Sequence, residues 1–133
     1  VSRHKLSRDE RKAIWNAMNR RCAYCGERIE LEDMCIDHIR PLALGGRDTS
    51  DNMVCACWHC NQHKANKTVE EFRSELQRGP VMLFRESCTY RTMLRYNQVN
   101  ETRRRMIVFY FEKKDRERHV SKQQRKRRHR PYF

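Results

Sequence analysis

Ile14, Ala17 and Met18 recur at helical spacing just after Ser7-Arg8-Asp9-Glu10, and Trp15 widens their stripe. The preceding tetrapeptide is a capping box, in which the serine hydroxyl takes one orphan N–H and the glutamate reaches back. Together they predict a helix over residues 8–20. "CAYCGERIE" follows as a tight knuckle, with Gly26 suited to the left-handed turn after its second cysteine. "MCIDHI" is short, carries β-branched isoleucines and stops at Pro41, which predicts a strand over residues 34–39. "PLALGGRDTSDN" is turn-rich and predicts a compact surface loop. "MVCACW" predicts a second strand, and a helix is expected to start within residues 60–67. Thr68-Val69-Glu70-Glu71 is another capping box, and Val69, Phe72 and Leu76 share one face of the helix it opens. Gly79-Pro80 is expected to end that helix.

Past Pro80 the pattern changes period. Cys88, Tyr90, Thr92, Leu94 and Tyr96 alternate with Thr89, Arg91, Met93 and Arg95, which predicts a strand. "RMIVFYFE" is apolar on both faces and rich in β-branched and aromatic types, a second strand. A hairpin turning at residues 97–100 would pair them; a helix over residues 99–110 is the alternative. No internal repeat is present. The organisation expected is α+β: a small domain over residues 1–79, a β-rich extension over 80–112, and a tail over 113–133.

Composition bears on what can hold such a domain together. Only 38% of the 133 residues are hydrophobic and 35% are charged, so the core must be small. A domain this lean needs a staple, from disulfides or a metal. Seven cysteines are available, but the number is odd and two pairs have C-x-x-C spacing. With no apolar run of transmembrane length and no secretory leader pattern, a reduced, cytoplasmic protein with a thiolate metal site is expected. The net charge of +13 is unevenly placed: residues 113–133 hold ten Lys/Arg against two acidic residues. A solvated, disordered tail explains such a run, but cations at this density also suit phosphate. Nucleic acid is favoured over membrane, because the tail has no apolar face. The cations taken for that contact are Lys64, Lys67, Arg125, Lys126, Arg127 and Arg128.

Cys22-x-x-Cys25 and Cys57-x-x-Cys60 are knuckles of the kind that clamp one tetrahedral zinc. The gap between them is 31 residues, so the Asp-His strand, the glycine loop and the second strand are an insertion held by the metal. Such a zinc is structural. Cys55 is a rival to Cys57, though C-x₄-C matches the first knuckle poorly. Cys35, Cys55 and Cys88 are read as packing residues, and His59 as solvent-facing or a donor to the knuckle.

"CAYCG", "CIDHIRPLALGG", "DNMV" and "CWHCNQHKANKTVEEF", in that order, resemble the HNH nucleases with flanking zinc knuckles over residues 7–78. The resemblance implies the ββα-metal fold: two antiparallel strands, a loop between them and a helix closing over one catalytic cation. It makes His38 the general base toward a phosphodiester and Asp37 a ligand of Mg²⁺ or Mn²⁺. It makes Asn52 the residue whose amide braces the loop and orients His38. The third motif position, usually histidine, is Asn61, as in the HNH domains of RNA-guided CRISPR nucleases; His63, two positions on, is the rival ligand. Neighbours on an ideal strand point to opposite faces, so Asp37 and His38 share a site only if the strand ends or distorts there. The activity implied is metal-dependent hydrolysis of DNA, expected to be double-stranded, by nicking or double-strand cutting that leaves 3′-hydroxyl ends. The rivals are a non-catalytic zinc module that binds nucleic acid and a nuclease-like subunit whose tail docks an acidic protein. Dimerisation through the extension is open.

Overall fold

The computed structural model describes residues 5–100 and 106–128, apart from the side chains of residues 125–128. Five helices and a two-stranded sheet make up the described chain. Helix α1 (Arg8–Ala17) opens with the expected capping box: Ser7 Oγ accepts from Glu10 N–H, and Glu10 answers Ser7 N–H at 2.7 Å. It ends earlier than the stripe suggests, because Asn19 and Arg20 turn the chain at φ 53° and 60°. Strands β1 (Cys35–His38) and β2 (Met53–Ala56) pair antiparallel, with Asp37 opposite Val54 and His38 opposite Met53. Helix α2 (Trp58–Lys64) follows at once, and α3 (Val69–Glu86) begins at the second capping box. Strand, loop, strand and helix thus come in the order expected.

The core lies where these pieces meet. Ile14 from α1, Tyr24 from the first knuckle, Val54 from β2 and Phe72 from α3 are buried together. Phe109 joins them from far along the chain, its ring stacked on Phe72 at 5.2 Å and edge-on to Tyr24 at 5.3 Å. Aromatic pairs at such separations add to the area they bury.

Beyond residue 79 the structure departs from the expected hairpin and β-rich extension. Pro80 lies inside α3, which continues to Glu86. A proline's fixed φ suits a helix, and only one backbone bond is lost once the costly nucleus has formed upstream. Residues 88–95 form helix α4 (Cys88–Arg95), with Ser87 Oγ accepting from Tyr90 N–H. The apparent alternation there also contains Tyr90, Met93 and Leu94, spaced for one helical face, and these three are half-buried, as is Arg91 beside them. No strand among the described residues partners "MIVFYF". Instead Phe109 plugs the core while Tyr110 and Phe111 donate backbone bonds to Tyr24 and Ala23 carbonyls at 3.1 and 2.8 Å.

Helix α5 (Tyr110–Arg128) takes up the described part of the stretch over 113–133 expected to be a disordered tail; residues 129–133 lie outside the described residues. Glu112 starts it, accepting the Phe109 N–H at 2.9 Å, and the Lys, Arg, Glu and Gln that follow are good helix formers. The backbone of Arg125, Lys126, Arg127 and Arg128 continues this helix; their side chains lie outside the described residues. No helix is long and apolar enough to cross a membrane among the described residues.

Candidate functional site

Two clusters of chemistry-bearing side chains are built by this frame. The first is the thiol cluster. Cys22 and Cys25 sit on a turn closed by Gly26 N–H to the Cys22 carbonyl at 3.0 Å, with Gly26 at φ 78°. Cys57 caps α2 and Cys60 lies in its first turn, with Cys60 N–H on Cys57 Sγ at 3.4 Å. The four sulfurs all lie within 4.8 Å of one another, and Cys25 and Cys57 are 3.9 Å apart. A zinc–sulfur distance of about 2.3 Å in a tetrahedron separates its sulfurs by about 3.8 Å, so the cluster has the dimensions of a metal site. A hydrogen bond from the Cys60 thiol pulls Cys22 down to about 4, while that same bond pushes Cys60 up. Burial raises Cys25 to about 11.

Cys55 stays out of the cluster. It is fully buried beneath the knuckle, its carbonyl accepting Ala23 N–H at 2.8 Å, and burial raises its thiol to about 12. Cys35 is half-buried, in keeping with packing, but Cys88 is exposed on α4 and packs against nothing in the core. His59 is exposed, its ring edge-on to Trp58 at 5.3 Å.

The second cluster lines an open cleft of about 730 Å³ bordered by Lys5, Arg11, Asp37, His38, Asp48 and Asn61. Asp37 and His38 are neighbours on β1, and both border this cleft. Asp37 is buried: its Oδ2 accepts the Tyr24 hydroxyl and lies 3.0 Å from the Lys64 ammonium. His38 ends β1 with Nε2 2.9 Å from Asp48 Oδ1. Asn52 closes the loop between the strands. Its Oδ1 accepts Arg40 N–H at 2.9 Å, and its Nδ2 donates to the carbonyls of Arg40 and Arg47 at 2.9 and 2.8 Å. Its own carbonyl takes Ile39 N–H at 2.9 Å, so the brace grips the residue after His38.

The two rivals for the third motif position are separated by the turn of α2. Asn61 lines the cleft with Asp37 and His38. His63 faces α3, 3.4 Å from Glu75, and borders a different groove. Lys67 is held there too, donating to the His63 carbonyl at 2.8 Å and paired with Glu75 at 3.1 Å.

Lys64 overturns its expected role. Its side chain is fully buried, with the ammonium on Asp37 and on the His38 carbonyl at 2.9 Å, so it cannot meet a phosphate. A stripe does run along α2 through Cys57, Cys60, Asn61 and Lys64, at the spacing of one helical face. That spacing was a signal for its inward position. Tyr24, inside the first knuckle, carries no sign of its role in the cysteine spacing; burial and the nearby Asp37 charge raise its phenol, keeping it a donor. Asp48 carries no sequence signal beyond its place in a polar loop.

A family model described as HNH endonuclease matches residues 22–77. The CRISPR-associated endonuclease Cas9 of Corynebacterium diphtheriae is 45% identical over 49 residues, which span 36% of this chain and 4% of that protein. The chain therefore corresponds to a small part of that relative's length. The crystal structure of the Type II-C Cas9 enzyme from Actinomyces naeslundii aligns at TM-score 0.48 and 27% identity, over 56% of this chain and 8% of that one.

Proposed function

We propose that the chain, whose residues 22–77 match a family model described as HNH endonuclease, is a metal-dependent nuclease hydrolysing phosphodiester bonds in double-stranded DNA. The observation that carries this reading is the shared cleft: His38, Asp37 and Asn61, from two elements, border one open space beside a thiol cluster of metal-site dimensions. Cys22, Cys25, Cys57 and Cys60 would hold structural zinc, fixing the start of α2 and hence Asn61. Asp37 and Asn61 offer hard oxygens, the donor set that suits Mg²⁺ or Mn²⁺. A divalent cation bound there supplies Lewis-acid polarisation of a phosphate oxygen and steadies the leaving oxygen.

The chain's own groups do the remaining work. His38 takes a proton from water, a task suited to imidazole near neutral pH. Asn52 holds the loop so that the histidine ring has one position. Lys64 and Tyr24 hold the Asp37 carboxylate through Oδ2, fixing the carboxylate that would hold the cation. Lys67 and the cations of α5 would add affinity for phosphates, sequence-independent and salt-dependent.

A non-catalytic nucleic-acid-binding module is the second reading, favoured by the Lys64 charge already placed on Asp37. Incubating supercoiled plasmid with the protein in Mg²⁺, Mn²⁺ or EDTA separates the two. Cleavage with either ion, absent in EDTA and abolished by His38→Ala while DNA binding persists, is the expected result. Binding without cleavage under every condition would leave only the second reading.

A further inference from the structure

His38 Nε2 and Asp48 Oδ1 lie 2.9 Å apart at the edge of the cleft, the histidine side chain 17% exposed and the aspartate 31%. A carboxylate only accepts, so the proton between them is the one on Nε2. A neutral imidazole has one ring proton, which leaves Nδ1 with the lone pair. We propose that Asp48 is a positioning residue for the nuclease reaction, fixing His38 as the Nε2–H tautomer so that Nδ1 is the atom that accepts the proton of water. The inference rests on His38 being the general base, as read above.

Both partners of the pair are mounted on rigid backbone. His38 is in register with Met53 on β2, and its carbonyl is held by the buried Lys64. Asp48 follows Arg47, whose carbonyl is gripped by Asn52. The loop between is closed tightly by Gly46, whose N–H donates to the Pro41 carbonyl at 3.0 Å. A Cβ at Gly46 would lie 1.9 Å from the Arg40 carbonyl oxygen, so only glycine permits this closure. The loop therefore delivers a carboxylate to one nitrogen of one ring.

The step balances as follows. The water oxygen bonds to phosphorus as its proton moves to Nδ1; the P–O3′ bond breaks, and O3′ takes a proton from solvent. The imidazolium so formed keeps its Nε2–H on the Asp48 carboxylate, whose charge stabilises it, and returns the Nδ1 proton to solvent. An aspartate paired with a catalytic histidine in other hydrolases holds the tautomer in the same manner.

Long-range ¹H–¹⁵N NMR of the full chain, with the histidines labelled and His38 assigned by His38→Ala, tests the tautomer directly. The expected spectrum shows neutral His38 protonated at Nε2. Asp48→Ala should give a mixture of tautomers, and Asp48→Asn, which can turn an N–H toward Nε2, should favour Nδ1–H. Single-turnover cleavage by either variant should fall by about 10–100-fold, short of the roughly 10²–10⁴-fold loss of a general base, with the Kd for DNA unchanged. An Nδ1–H tautomer in the unsubstituted protein overturns the proposal, as does full cleavage rate in a folded Asp48→Ala variant. If the unsubstituted protein cuts nothing, the nuclease reading falls, and the tautomer still decides whether Asp48 holds the ring.

Discussion

Lys64 ends α2 with its ammonium 3.0 Å from Asp37 Oδ2, and both side chains are withdrawn from water. The same ammonium donates to the His38 carbonyl, so one cation holds the side chain of the first residue and the backbone of the second. Breaking a buried pair leaves an uncompensated charge, which typically costs about 3–5 kcal/mol. Lys64→Met should lower stability by that order in urea unfolding. Adding Asp37→Asn should recover part of the loss, because the stranded carboxylate is gone. Fully additive losses in the double-mutant cycle would show that the two do not interact.

The thiol cluster ties the first knuckle to the start of α2. Purified protein should carry close to one tightly held zinc per chain by elemental analysis. Cys22→Ser or Cys60→Ser should lose the metal and most of the helical signal, because metal-binding energy is folding energy in a domain this lean. Cys55→Ser should keep the metal, since its sulfur stands outside the cluster. Folded, metal-free protein would remove zinc from the account.

Asn61 and His63 make opposite predictions for metal dependence. Cleavage rate against Mg²⁺ concentration should shift to higher metal for Asn61→Ala, because that residue lines the cleft. His63→Ala should leave the midpoint in place, since its ring faces Glu75 on α3. Asn61→His should remain active and accept softer ions such as Ni²⁺ more readily, as imidazole suits them. A shift caused by His63→Ala alone would exchange the two assignments.

Arg73 clamps the end of the chain to α3. Its guanidinium donates to Glu112 Oε2 at 3.0 Å and to the Ile107 carbonyl at 2.5 Å. The hydrogen bond from Arg73 lowers the Glu112 carboxyl below its usual 4.5. A carboxyl lowered on folding stabilises above its unfolded value, and that contribution is lost as pH falls through its folded value. Tm should therefore be higher for the wild type than for Glu112→Gln at neutral pH, with the gap constant down to about pH 5 and closing below it. A gap that persists unchanged into strong acid would assign the effect to packing.

Helix α5 leaves the domain with no apolar face, its described side chains beyond Lys114 all exposed. Removing residues 114–133 spares the Phe109 plug and the Arg73–Glu112 clamp. It should weaken binding to all DNA sequences alike and lower the slope of log affinity against log salt, by roughly one for each lost phosphate contact. An unchanged slope would mean that α5 meets a different partner.

Sequence alone was enough for the frame between residues 7 and 78, because its signals are local. A capping box spans four residues, a knuckle four, and a β-branched run ending in proline five or six; each acts through its own backbone. Two knuckles around one Asp-His strand also constrain their own arrangement, since four sulfurs can share an ion only if the strands between them fold back. The order of the cysteines therefore carried the thiol cluster, and that of Asp37, His38 and Asn61 the candidate cleft.

Tertiary structure decided whatever depended on a distant partner. Lys64 looked like a phosphate contact because lysine is rarely buried without a counter-charge, and Asp37, 27 residues earlier, supplies one. Asp48 lies ten residues from His38 and reaches it only because the loop closes on Gly46. Phe109 belongs to an apolar run that reads as a strand, but its side chain fills a space left by Tyr24 and Phe72. With the Tyr110 and Phe111 N–H groups on the knuckle carbonyls and that of Phe109 on Glu112, these residues need no second strand, and the helix that follows begins there.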